Sequence, residues 1–147
     1  MSFMRRLASI VLLAWVSVAA WTGVIWFLSS CTGRELGPWM LALPHWDKVC
    51  HFIAFFAGGV AMTSAVRWTW RLPFLPTILI SMIAVSCYGA VDEWHQLSTP
   101  GRSGGDLGDW TFDTLGAIAG TLFIATLYAR YFSTRSRSTS LGVTPGN

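Results

Sequence analysis

Between residues 89 and 120 the chain reads GAVDEWHQLSTPGRSGGDLGDWTFDTLGAIAG, placing acids, a histidine, a glutamine and an arginine between two strongly apolar runs. A second polar group, Asp47-Lys48-Val49-Cys50-His51, opens an earlier apolar run. Together these residues supply what phosphoryl chemistry requires. His51 is a candidate general base or nucleophile, with Asp47 or a neighbouring acid fixing its tautomer. Arg102 offers a planar fork for phosphate or carboxylate, and Lys48 a second cation to neutralise charge on phosphoryl oxygens. Glu93, Asp109 and Asp113 are candidates to orient a hydroxyl or water or to complete an acid/base relay, with Gln96 and His95 beside them as binding groups. Carboxylates with histidine also suit a divalent metal, but no spacing is diagnostic, so the metal and any other cofactor stay open.

Helical register sorts these residues into three clusters. Asp47 and His51 are one turn apart and share a face that continues through Ala54 and Gly58, a small-residue track where another helix can come close. In the second cluster Gly89, Glu93 and Gln96 lie on one stripe, with Tyr88, Asp92 and His95 on the adjacent one. Glu93 is expected inside the bundle and Asp92 in the solvated interface. The third cluster is Pro100-Gly101-Arg102-Ser103-Gly104-Gly105 followed by Asp106, Asp109 and Asp113. A glycine-rich turn ahead of a helix can present backbone N–H groups to an anion, although Asp106 would compete for them as an N-cap. Asp109 and Asp113 are again one turn apart, and Asp113 continues to Gly116 and Gly120 on the packing face.

The elements that must position these clusters are membrane spans. Of 147 residues, 53% are hydrophobic and 12% charged, there are nine Trp, and the mean hydropathy is +0.51. That is too little charge to solvate a water-facing surface, since soluble domains carry about 25%. The apolar runs 7–28, 49–66, 74–91 and 110–131 predict an all-α integral membrane bundle of four transmembrane helices. The second and third runs are short and should extend through their polar ends. Pro44 helps mark a helix start near Trp46, and Pro73 and Pro76 sit where the third helix begins. Residues 1–132 form one domain, and 133–147 read as a disordered cytoplasmic tail.

Four spans put both termini on one side, together with Arg5, Arg6, Arg67, Arg71, Arg130, Arg135 and Arg137. The positive-inside rule makes that side cytoplasmic. All seven acids and all three histidines (His45, His51 and His95) then fall on the outer side. Charge at the bilayer centre is penalised by roughly 2.5–3.5 kcal/mol or more. Acids one turn inside a span therefore point to an outward-facing polar site. The basic residues flank spans instead of forming a stripe, which argues against a nucleic-acid partner. Cys31, Cys50 and Cys87 fit no metal-ligand spacing and read as small apolar residues. Leu28-Ser29-Ser30-Cys31 has the look of a lipoprotein cleavage site, but the run before it is longer than a signal h-region and can span a bilayer itself.

Asp47-Lys48-x-x-His51, Asp92-Glu93-x-His95-Gln96, Pro100-Gly101-Arg102-Ser103 and Asp109-x-x-x-Asp113-Thr-Leu-Gly116 together resemble the VanZ-like family, over about residues 7–130; Ser29-Ser30 at the end of the first span also fits. The resemblance implies a small bacterial multi-helix membrane protein. The family is named after a member linked to low-level teicoplanin resistance, and is distantly similar to a group that includes phosphatidylserine synthases, for which lipid head-group chemistry is proposed. Carried over, its polar signature falls on Asp47, Lys48, His51, Glu93, Gln96, Arg102, Asp109 and Asp113. Cys31 stands where the family has a glutamine. The interval from Arg102 to Asp109 is one residue longer than usual, so Asp106 could share or take over the role of Asp109.

Three functions are compatible with this reading. The first is an enzyme acting on phosphate-linked lipid head groups at the outer face of the cytoplasmic membrane. The second is a non-catalytic binder of lipid-linked cell-envelope precursors or anionic lipids that contributes to glycopeptide resistance. The third is a structural or transport role, which ranks last because the inner halves of the spans carry almost nothing polar beyond Ser and Thr. The partners expected are membrane lipids or a lipid-linked precursor; the oligomeric state is left open, Gly116 and Gly120 being read as an intramolecular packing motif.

Overall fold

A computed structural model describes residues 3–37 and 45–140, and among them finds four α-helices and no strand. They are α1 (Phe3–Ser30), α2 (Trp46–Trp70), α3 (Phe74–Gln96) and α4 (Leu107–Ser140). Each contains a stretch long and apolar enough to cross a membrane. As expected, the second and third helices extend through their polar ends, so α2 starts at Trp46 and α3 stops at Gln96. Pro44 lies outside the described residues.

The turns follow from local chemistry. At the end of α2, Arg71 adopts a left-handed conformation with φ 51° and its N–H closes on the carbonyl of Arg67. Pro73 then stands immediately before α3, where its fixed φ and missing donor cost nothing. α4 continues past Ser133, where disorder was expected, because no Gly or Pro interrupts the chain between Tyr131 and Ser140. Residues 141–147, the rest of that tail, lie outside the described residues.

The core is the interior seam of the bundle, where Trp21, Ile25, Phe55, Val85 and Ala117 are buried together. Trp21 meets Phe55 edge-on at 5.5 Å and gives its indole N–H to the carbonyl of Ala54 at 2.8 Å. The track Ala54–Gly58 is thus met by a side chain, since a Cβ on Gly58 would strike the Trp21 ring. Backbone meets backbone between α2 and α4: side chains at Gly116 and Gly120 would run into the carbonyls of Phe52 and Phe56. These two glycines therefore serve intramolecular packing.

Large apolar side chains cover the outside of the bundle, including Leu12, Leu13, Phe27, Ile53, Ile83 and Phe123. The helix order brings the last turn of α1, the first of α2, the last of α3 and the first of α4 to one end. Every candidate site residue is there. The opposite end carries Arg67, Arg71 and Arg130, with the Arg67 guanidinium 5.5 Å from the Phe74 ring centre.

Candidate functional site

The first turns of α2 and α4 meet through Lys48. Its ammonium lies 2.7 Å from Asp109 Oδ1, 2.9 Å from Asp106 Oδ2 and 3.4 Å from Asp47 Oδ2. The longer interval before Asp109 thus lets both Asp106 and Asp109 reach the same cation. Asp106, the residue before α4, also accepts the N–H of Gly108 at 2.6 Å as an N-cap. The Lys48 ammonium, followed by that N–H, holds the Asp106 carboxyl below its usual range.

One turn deeper, His51 Nδ1 is 2.8 Å from Asp113 Oδ1. Asp113 is fully buried, so it holds the imidazole from below. His51 Nε2 is 3.8 Å from Asp109, too far for a hydrogen bond. With Nδ1 engaged, Nε2 is the nitrogen left to take or give a proton. Asp47, one of the acids expected to fix the histidine, instead sits half-exposed against Lys48. The helical spacing is right, but Asp47 lies at the rim while Asp113 approaches His51 from the neighbouring helix.

The end of α3 supplies the opposite wall. Asp92, Glu93 and Gln96 are 4%, 4% and 3% exposed, so all three point inward. Asp92 was expected in solvent and is not. It accepts bonds from Ser29 Oγ, through Oδ1, and from Gln96 Nε2 at 2.7 Å, through Oδ2. Ser29 at the end of α1 and Thr99 in the following loop, which bonds the Ser29 carbonyl at 3.0 Å, close over it. Gln96 Oε1 in turn accepts from Arg102 Nη2 at 2.9 Å, and Arg102 Nη1 reaches the carbonyl of Leu28 at 3.3 Å.

The glycine-rich loop does bind an anion, but an internal one. The N–H of Asp106 donates to Glu93 Oε2 at 2.8 Å, and the N–H of Gly105 donates to the Glu93 carbonyl at 3.1 Å. Gly105 has φ +75°, the left-handed turn that aims both donors at the end of α3. A Cβ on Gly104 would collide with the backbone of Gln96 and Leu97, so this close approach requires glycine.

Between these walls is a cavity of about 220 Å³. Ile25, Leu28, Leu36 and Phe55 give it a carbon side; His51, Asp92, Gln96 and Arg102 give it a polar one. Of the residues singled out in the sequence, His51, Gln96 and Arg102 line it. Glu93, Asp109 and Asp113 stand behind that lining, and Lys48 is held among its acids. His95 faces elsewhere: its ring stacks on Trp26 at 3.9 Å and its Nε2 is 3.0 Å from Ser30 Oγ. Cys31 contributes only a bond to the Phe27 carbonyl, and all three cysteines are unpaired.

Asp92 and Ser29 are polar lining residues that the sequence reading did not assign to the site. The available signal was the one-turn spacing of Asp92 and Gln96 together with a serine pair closing the first span. Four donors can be grouped as possible metal ligands, those of His51, Asp92, Glu93 and Asp113. No curated protein and no solved structure matches the chain. A family model described as VanZ/LLP1 matches residues 4–128, which carry every helix contact and side chain of this site, and the chain belongs to that family.

Proposed function

We propose that the protein is a bacterial cytoplasmic-membrane protein that modifies phosphate-linked lipid head groups at the outer face by acid/base chemistry. One observation carries the reading. His51 lines a cavity that is carbon on one side and polar on the other, with one ring nitrogen held by a buried carboxylate. An acyl or isoprenoid chain would lie against Ile25, Leu28 and Phe55, and its phosphate against Arg102, whose fork Gln96 holds in place. His51 Nε2 would take the proton from an attacking water or hydroxyl as its oxygen bonds phosphorus, then return it to the departing oxygen. Arginines at the opposite end support the outward orientation of the site. Lys48, a phosphate contact in the sequence reading, is engaged by carboxylates and instead secures α2 to α4.

A second reading, binding without reaction, is favoured by the cavity's largely apolar wall with Arg102 as its permanent cation. Such a protein would hold a lipid-linked cell-envelope precursor or anionic lipid and thereby contribute to glycopeptide resistance. Lipid mass spectrometry of membranes expressing wild type, His51→Ala, His51→Gln or Arg102→Ala in a deletion background separates the two. An enzyme gives a head-group change that both His51 variants reduce by about 10²–10⁴-fold. A binder gives no lipid change, and His51→Gln keeps the resistance that Arg102→Ala loses.

A further inference from the structure

Beneath the cavity, the described residues leave two buried carboxylate oxygens without a hydrogen bond, Glu93 Oε1 and Asp113 Oδ2. Both belong to residues almost wholly removed from solvent, 4% and 0% exposed. The other carboxylate oxygens of Asp92, Glu93 and Asp113 have partners. Asp92 uses one on Ser29 and one on Gln96, Glu93 Oε2 takes the Asp106 N–H, and Asp113 Oδ1 takes His51. The cations nearby are occupied as well, Lys48 by Asp106 and Asp109 and Arg102 by Gln96 and the Leu28 carbonyl. A buried anionic oxygen with no donor is costly, and two of them in one cluster with a surplus of negative charge call for a positive partner.

The geometry supplies a place for one. His51, Asp92, Glu93 and Asp113 each offer a donor atom, and these atoms all lie within 4.8 Å of one another. Donors on opposite sides of an ion bound at about 2.0–2.5 Å stand about 4–5 Å apart, so a single ion can reach all four. We propose that this cluster is a divalent-cation site, anchored by Glu93 and Asp113 and completed by Asp92 and His51. Three carboxylates and one imidazole are a mixed hard and borderline set, which fits Mn²⁺ or Zn²⁺ better than Ca²⁺. Gly89 keeps the space open on the α3 side, since a Cβ there would stand 3.0 Å from Asp113 Oδ2. Ser29 and Gln96 orient Asp92, and the Asp106 N–H orients Glu93, as outer-shell donors do around a bound ion.

The site requires no lipid and its test does not depend on the proposed head-group chemistry, but the two share His51: an imidazole that holds the ion is not free to act as the base. The test is Mn²⁺ titration of the purified, chelator-treated full chain in detergent, followed by loss of the free-ion electron paramagnetic resonance signal. Zn²⁺, Mg²⁺ and Ca²⁺ serve as competitors. Saturable binding of one ion, displaced by Zn²⁺ in preference to Ca²⁺, is the expected result. Glu93→Gln and Asp113→Asn should abolish it, and Ser29→Ala should weaken it about 10-fold or more as an outer-shell change. Thermal unfolding of the wild type with and without Mn²⁺ gives a readout that survives even if a variant fails to fold, and Tm should rise with the ion. Absence of saturable uptake in the wild type, or wild-type affinity in a folded Glu93→Gln, would overturn the site and leave the cluster balanced by protons. Binding without any lipid change would keep the site and remove the enzyme, whereas lipid turnover by a protein that takes up no ion would do the reverse.

Discussion

The same two helices, α2 and α4, are joined in opposite ways at their two ends. At the site end the links run through ionisable groups, Lys48 with Asp106 and Asp109 as ion pairs and His51 with Asp113. Toward the other end they are neutral. Thr63 bonds Thr121 at 3.2 Å, Tyr128 bonds Ser64 at 3.1 Å, and the Trp68 indole bonds Tyr128 at 3.1 Å. Hydroxyls and close glycine contacts are therefore enough to hold these helices in register. Burying charge is a poor way to gain stability, because desolvation can exceed the attraction recovered. The ionic end carries more charge than packing needs, which is why we assign it the chemistry.

If close contact and not charge holds the pair, the largest stability loss should come from a neutral residue far from any ion. Gly120→Leu drives a side chain into the carbonyl of Phe56, which belongs to helical backbone and has little room to move. Overpacking costs about 1–3 kcal/mol where side chains can adjust, so here the loss should reach about 3 kcal/mol or more. SDS-induced unfolding in mixed micelles would show it as a large drop in midpoint or as absence of folded protein. A Gly120→Leu protein as stable as wild type would mean that α2 and α4 can separate, and would return the holding role to the ion pairs.

Removal of Lys48 should rank second and should be partly reversible. Lys48→Met leaves Asp109, whose side chain is 7% exposed, without its cation. Breaking a fully buried pair costs about 3–5 kcal/mol, but the Asp106 partner is about a third exposed, so about 2 kcal/mol is expected. Lys48→Met combined with Asp109→Asn should recover part of this loss, because the uncompensated charge goes with its partner. Failure of the second change to restore stability would show that Lys48 acts through its packed stem instead.

The difference between the two ends also marks how far the sequence could be read. The four spans follow from hydropathy, and the extension of α2 and α3 through polar turns follows from Asp47–His51 and Asp92–Gln96 lying on helical stripes. Register within one helix is a local property, so Asp109 and Asp113, or Asp47 and His51, could be placed on common faces. Partners across helices are not local. Nothing in the sequence says that His51 meets Asp113 at the same depth while Asp47 stays at the rim. Asp92 is the clearest case: it looks interfacial until Ser29, 63 residues away in the chain, meets it and Thr99 closes over the pair. Lys48 was given to a phosphate because its type suits one, whereas the helix geometry surrounds it with acids.

The smallest effect should come from the neutral end, where the comparison makes its sharpest quantitative claim. Thr63→Val keeps shape and removes only the hydroxyl bond to Thr121, both residues being buried, at 1% and 0% exposure. Hydrogen bonds between membrane helices average about 0.6 kcal/mol, so Thr63→Val should cost about that much. Thr121 need not be stranded, since its hydroxyl can turn to a helix carbonyl one turn earlier. Thr63→Val and Thr121→Val together should cost little more than either alone, because each removes the same bond. Additive losses in that cycle would show that each hydroxyl has a separate partner. A loss as large as that of Lys48→Met would erase the distinction between the two ends, and with it the case that the site's charges serve chemistry before architecture.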